Sequence, residues 1–345
     1  MTATTLAELL KARTNDHSWL TAAFHGRTGL GWHQPTPATA AEGRALSVVI
    51  PAHNTAYALP AVLDALNAQD TAGEVEVIVV DDASTDATFD VARRHPAVTT
   101  AVRLASRSGS AGARNAGALL AQAENLLFLD SDMVLPRHVL ADFAARARPE
   151  TVLTGFRHNL PHQNTPCGPV IPDRPPQLSA DHRVTWTPPT NTVLPYSGLT
   201  LTEKLDGRPL DATDDFQNLG HGRFYYDWDL PRMAVTALLG VPRDRFVDVG
   251  GFDPEFGRLG WGMEDTHLGA ALIAARCLVV PLRQAVGYHL DPQDADAQWL
   301  TKLTAWPATL AHYRHVLAQA APTGRGRTFT TATETLLHDA EVITR

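Results

Sequence analysis

Cysteine is nearly absent from this chain: Cys167 and Cys277 are the only two in 345 residues. Two cysteines make neither a disulfide framework nor a cysteine-type zinc site, and a reducing cytoplasm is the compartment they fit. Long apolar runs are missing as well. No stretch approaches the roughly 18 apolar residues a membrane span needs. The opening segment, MTATTLAELLKARTNDHSWL, lacks a signal-peptide pattern, so a soluble protein is expected. Positive charge is short: 29 Lys and Arg stand against 37 Asp and Glu, a formal charge of -8. That balance argues against nucleic acid or an anionic membrane as the main partner, since both need a basic surface. A local basic pocket for phosphate remains compatible with it. Repeats and low-complexity runs are absent too. What is present is a 44% apolar composition, enough for the core of one large α/β domain with insertions.

The organisation follows from periodicity. Residues 5–13 predict a short amphipathic helix with Leu6, Leu9 and Leu10 on one face. Residues 25–46 are rich in Gly, Pro, Thr and Ala and read as a linker or extended arm. A buried-type strand, Leu46 to Ile50, then ends at Pro51. Helical spacing of Leu59, Val62, Leu63 and Leu66 follows. A second strand from Val75 to Val80 ends at Asp81-Asp82, and Ser84, Thr85 or Asp86 can cap the next helix. Val102 and Leu104 mark a third strand, and a small-residue helix covers about 111–123. A fourth strand, Leu126 to Leu129, runs into Asp130-Ser131-Asp132, and a fifth is expected at Thr151 to Phe156. Such β-α alternation predicts a mostly parallel sheet with helices on both faces. Ligands bind at the carboxyl ends of such strands. The clusters Pro51-Ala52-His53-Asn54, Asp81-Asp82 and Asp130-Ser131-Asp132 all fall there.

The last cluster has two readings. Asp and Ser are ordinary turn formers. But residues i and i+2 of a strand share a side, and two carboxylates crowded there repel unless a cation or water relieves them. Residues 157–230 are Pro-rich and weakly periodic, a pattern more often functional than idle. Within them, DATDDFQNLGHGRFYYDWDL (211–230) has the content of a lid or acceptor loop. Order returns at Met233 to Val241 and Phe246 to Phe252. A helix is expected over about 264–275, a strand at Leu278 to Val280, and mainly helices over the last fifty residues.

Seven stretches then carry a resemblance: SVVIPAHN, VEVIVVDDASTDAT, GSAGARNAG, LLFLDSDMVLP, FVDVGGFDPEF, GWGMEDTHLG and YHLDP. In this order they resemble the family 2 glycosyltransferases of the GT-A fold. GWGMED also looks like a stretch of galactosyl- and N-acetylhexosaminyltransferases. The resemblance implies an α/β protein with a GT-A type, Rossmann-like, mostly parallel sheet and a C-terminal helical segment. It implies an inverting hexosyltransferase that uses a nucleotide-sugar, most simply UDP-linked, and Mn2+ or Mg2+. The expected division is 1–44 helix and arm, 45–156 nucleotide-sugar-binding half, 157–295 acceptor half with a long loop insertion, and 296–345 C-terminal helices.

The chemistry asks for matching parts. A departing diphosphate builds negative charge that a divalent cation can hold, and hard cations take carboxylate oxygens. By resemblance Asp132 holds the metal, Asp130 lies near ribose or metal, and Ser131 stands between them. His289 completes coordination, and its nitrogen suits Mn2+ better than Mg2+. Pro51, Ala52, His53 and Asn54 line the base pocket, and Asp82 accepts from a uracil N3–H. His53 has the competing reading of a pocket-edge residue without a chemical role. Arg114 and Asn115 face the donor, while Gly112 and Gly117 suit close helix–sheet packing. Arg107 departs from the Asn many relatives carry at that place. Inversion needs a carboxylate to take the acceptor's proton; Asp265 is that base, Glu264 supports the acceptor or donor, and Trp261 walls a sugar face. Capping of the helix is the competing reading for one of the two acids. His221, His267 and His312 receive no metal role, and the cysteines are core residues. The acceptor is expected to be a soluble small molecule, oligosaccharide or protein side chain, shaped by the arm and by 157–230. Two rivals are a sugar nucleotidyltransferase, which would want a Gly- and Arg-rich loop where PAHNTAYALP stands, and a non-catalytic nucleotide-sugar-binding protein.

Overall fold

A computed structural model describes residues 4–13, 15–37, 45–71, 73–163, 165, 168–185 and 230–345. Its strands are β1 (Leu46–Ala52), β2 (Val75–Asp81), β3 (Thr100–Arg103), β4 (Asn125–Leu129), β5 (Met133–Val134), β6 (Thr151–Leu160), β7 (Leu238–Pro242), β8 (Leu278–Leu290) and β9 (Glu341–Thr344). They form one sheet in the order β5-β8-β6-β7-β4-β1-β2-β3-β9. Strands β1 to β4 are parallel neighbours, and β6 and β8 run the same way; β5, β7 and β9 run against them. The sheet is therefore mostly parallel, as the alternation predicts.

Strand alternation builds two cores. Val48 and Ile50 pack on one face with Leu59, Val62 and Leu63 of the helix Leu59–Asn67 and with Phe143 of Val139–Arg146. Val49 packs on the other with the helices Gly109–Leu120 and Glu264–Ala274. Gly117 is where the first of these helices meets the sheet: an added Cβ would stand 2.4 Å from Val49 Cγ1. Gly117→Ala gains helix propensity of about 1 kcal/mol, but the overpacking costs about 1–3 kcal/mol. A net loss of stability is expected in urea denaturation.

One expectation needs correction. The segment 25–46 is not simply an extended arm. The helix Ser18–Thr28 runs into it, and Trp32 is buried, donating from Nε1 to Pro281 O at 3.2 Å. The buried Arg146 guanidinium holds this stretch through Trp32 O, Thr36 Oγ1 and Gln34 O. An arm with so many carbonyls fixed to one cation is a packed element; its residues 38–44 lie outside those described. The C-terminal end is mainly helical, as expected, with one short strand added. After the helices Ala295–Leu317 and Gly326–Leu337, β9 adds an antiparallel edge beside β3. This strand is only four residues long, Glu341–Thr344, too short to stand out in the sequence.

The strand expected at Leu278 to Val280 continues to Leu290, which carries His289 to the same edge as the ends of β1, β2 and β4. The expected half-boundary at 156 falls inside β6. Most of the acceptor-loop segment, 186–229, with His221, lies outside the described residues, as does Cys167. Cys277 is buried, and burial pushes its thiol up to about 12, as suits a core residue.

Candidate active site

The chain leaves β4 at Leu129 and turns at once, Met133 N donating to Asp130 O at 3.1 Å. The turn reading therefore holds, and so does the crowding. Strand β5 pairs with β8 so that Met133 faces His289, and Leu290 N donates to Asp132 O at 2.9 Å. Asp130, Asp132 and His289 can each offer one ligand atom, all within 4.8 Å of one another. Asp132 Oδ1 stands 3.3 Å from His289 Nε2, and His289 Nδ1 lies 3.6 Å from Asp291 Oδ1, too long for a hydrogen bond. Asp132 Oδ1 and His289 Nδ1 are buried without a hydrogen-bond partner. Burial and the charge of Asp130 push the Asp132 carboxyl up despite His289. Burial works against the charge of Asp130 too, but Arg114 and His289 bring its carboxyl below the ordinary range. An orphaned carboxylate oxygen beside a second carboxylate and an imidazole fits a divalent cation, and the mixed oxygen and nitrogen donors suit Mn2+. Ser131 is buried between the two acids. Tyr57, not singled out by the sequence, caps the cluster through its hydroxyl, 3.5 Å from Asp132 Oδ2 and 3.2 Å from Leu290 O.

Arg114 joins this cluster to a second pair of acids. It donates to Asp130 Oδ1 at 2.8 Å, and the charges of Asp130, Asp265 and Glu264 hold it protonated against burial. Glu264 and Asp265 open the helix Glu264–Ala274 after Met263 in a left-handed turn (φ 70°). Neither acts as a conventional cap. Glu264 Oε2 accepts from Gly262 N at 3.0 Å, while Asp265 accepts from Thr236 N at 3.1 Å and Thr236 Oγ1 at 2.7 Å. Burial and the Asp265 charge push Glu264 up to about 7, and burial raises Asp265 as well. The native pair binds protons that the unfolded chain has lost, so stability falls as pH rises from about 4.5 toward about 7. Glu264→Gln is expected to flatten that slope in denaturation curves taken across this range.

The loop 260–262 lies against the helix Ala295–Leu317. Gly260 (φ 132°) has room for no side chain, since an added Cβ would meet Ala305 Cβ at 2.4 Å. This exposes Trp261 at the site's rim, 6.2 Å from the Trp299 ring, with Lys302 Nζ 4.3 Å from its centroid.

At the ends of β1 and β2, two loops are tied together. His53 Nδ1 bonds Asp82 O at 2.8 Å, and Asn54, in a left-handed conformation that its residue type tolerates (φ 53°), accepts from Thr85 N at 2.8 Å. Pro51 and Ala52 end β1 beside them, Ala52 O accepting from Asp82 N at 2.8 Å. Asp82 has work beyond what the resemblance implies: its carboxylate accepts from Ser108 N, Ser108 Oγ and Gly109 N at 2.6, 2.9 and 2.8 Å. It anchors the start of Gly109–Leu120. Asn115 is likewise committed, accepting from Phe252 N and donating to Phe252 O, both at 2.9 Å. This ties the GGFDP segment to the helix Gly109–Leu120. Arg107 is exposed. His267 and His312 sit with Phe256 and Asp253, apart from the acidic turn. No spacing rule in the sequence points to Tyr57 or Thr236; each is distant from the acid it contacts.

A parallel sheet with an Asp-Ser-Asp turn at its carboxyl edge defines the GT-A class of fold. Residues 47–182 match the family model described as Glycosyl transferase family 2, so the chain carries a domain that resembles that family. It is 33% identical over 243 residues to a validoxylamine A glucosyltransferase of Streptomyces hygroscopicus subsp. jinggangensis, covering 66% of this chain and 51% of that protein. A second validoxylamine A glucosyltransferase, from subsp. limoneus, is 32% identical over 254 residues, covering 70% and 50%. The chain thus spans about half the length of the curated relatives it matches. Among solved structures, Staphylococcus aureus TarS 1–349 in complex with UDP is 19% identical, with 79% of this chain and 70% of that chain covered at a TM-score of 0.46. In the described residues no helix is long and apolar enough to cross a membrane.

Proposed function

We propose that the chain is an inverting hexosyltransferase that moves a sugar, glucose being the first to try, from a UDP-linked donor to a hydroxyl of a soluble small-molecule acceptor. The observation that carries this reading is Arg114, which links the Asp130–Asp132–His289 group to the Glu264–Asp265 pair within one sheet edge. The two validoxylamine A glucosyltransferases support glucose and a small-molecule acceptor. Asp132, Asp130 and His289 would hold Mn2+ or Mg2+, which when bound supplies positive charge against the leaving diphosphate. Asp265 takes the proton of the acceptor hydroxyl as its oxygen attacks the anomeric carbon and the bond to the diphosphate breaks. Thr236 fixes both carboxylate oxygens of Asp265 and so sets its direction. Glu264, held near neutrality, positions acceptor or donor hydroxyls. Trp261 and Trp299 offer apolar faces to a sugar ring. His53, Asn54 and the ends of β1 and β2 receive the nucleoside, in a cytoplasmic setting where such donors are made.

The test is incubation with UDP-glucose, Mn2+ and validoxylamine A, with the product's anomeric configuration read by proton NMR. A β-linked glucoside from the α-linked donor is expected. Retention of configuration would remove Asp265 from the role of base in a single displacement.

A further inference from the structure

The acidic site poses a charge problem. A diphosphate is an anion, and Asp130, Asp132, Glu264 and Asp265 all lie where it must arrive. A divalent ion offsets part of that charge, and Arg114 is already committed to Asp130. Two further cations reach the same region from separate elements. Arg157 lies on β6 opposite Gly287, two residues before Asn159, which faces His289. Residues two apart share a strand face, and Asn159 Nδ2 donates to Asp291 Oδ1 at 3.0 Å. Lys302 comes from the helix Ala295–Leu317 and sits 4.3 Å over Trp261. Neither side chain makes an ion pair among the described residues, and Arg157 Nε is buried without a hydrogen-bond partner. The two cations also oppose each other: after burial, Arg157 is the largest influence pulling the Lys302 ammonium below its ordinary value, against Asp130, Asp132 and Glu264. Two like charges in mutual range repel, and no carboxylate is in ion-pair contact with either side chain among the described residues. An anion entering between them relieves that repulsion.

We propose that Arg157 and Lys302 form an anion-binding pair that takes a phosphate group between β6 and the helix Ala295–Leu317, beside the Asp130–Asp132–His289 group. Arg157 offers a planar fork to two oxygens and Lys302 a point charge steadied by the Trp261 face. The identity of the anion rests on the donor reading above: it is the donor's diphosphate. A phosphate carried by an acceptor has the same chemistry.

Calorimetric titration of the full chain with Mn2+ and inorganic pyrophosphate, UDP or uridine separates these cases. Lys302→Met and Arg157→Gln are each expected to weaken pyrophosphate binding about tenfold, the scale of one charge-assisted hydrogen bond. Uridine affinity should stay unchanged, and Lys302→Arg should restore most of the loss. An equal loss for UDP identifies the donor as the source. A loss for pyrophosphate with UDP unaffected supports the pair and assigns it to an acceptor phosphate. No pyrophosphate binding by the wild type, or unchanged affinity in both folded variants, overturns the pair. A wild type that binds pyrophosphate through these residues yet transfers no sugar keeps the pair and removes the transferase reading.

Discussion

Asp265→Asn is expected to lower sugar transfer about 10²–10⁴-fold, the usual contribution of a general base, while nucleoside diphosphate affinity stays within about twofold of the wild type, since no phosphate contact is lost. The substitution keeps the side chain's shape. An Asn oxygen can still accept from Thr236 N, and its amide can donate to Thr236 Oγ1, the reverse of the present bond of 2.7 Å. The variant should therefore fold. Loss of the proton acceptor would then appear in kcat, with donor KM little changed. Steady-state kinetics of nucleoside diphosphate release, with melting curves as a control, makes the check. Near-normal turnover in a folded variant would move the base elsewhere, Glu264 being the first alternative.

Asp132→Ala has the second large effect. Its carboxylate is the one with an orphaned buried oxygen beside both Asp130 and His289. Removal should abolish the Mn2+-dependent part of nucleotide binding, a loss of at least about tenfold given that even supporting residues of metal sites cost that much. The same change should cost the metal-free protein little stability. Burial and Asp130 already push this carboxyl above its ordinary range, so its charge opposes folding. Loss of metal binding with stability kept or raised is the signature of a group retained for function. Unchanged UDP affinity with Mn2+ in Asp132→Ala would refute the metal role.

Much of this was legible in the sequence because it is local. Apolar runs at β1, β2 and β4 and the helical spacing between them imply the parallel sheet, and strand ends tell where polar clusters gather. The acidic turn, Arg114, Glu264 and Asp265 lie inside short motifs. The missing parts are set by contacts between distant segments. Thr236 reaches Asp265 across 29 residues and Tyr57 reaches Asp132 across 75; no periodicity encodes either distance. Asp82 and Asn115 show the opposite difficulty. Each sits in a motif that suggests ligand contact, yet each has polar atoms committed to the backbone of another segment. Sequence patterns reveal which polar residues gather, but not which of them the fold has already used.

The most direct test of the account is the melting temperature of the purified chain with UDP-, GDP-, ADP- and TDP-sugars, each with and without Mn2+. A ligand bound only by the native state raises that temperature. The account predicts a shift with UDP-glucose that requires Mn2+ and disappears in Asp132→Ala. A shift of equal size without any divalent cation, or one that survives Asp132→Ala, would contradict it.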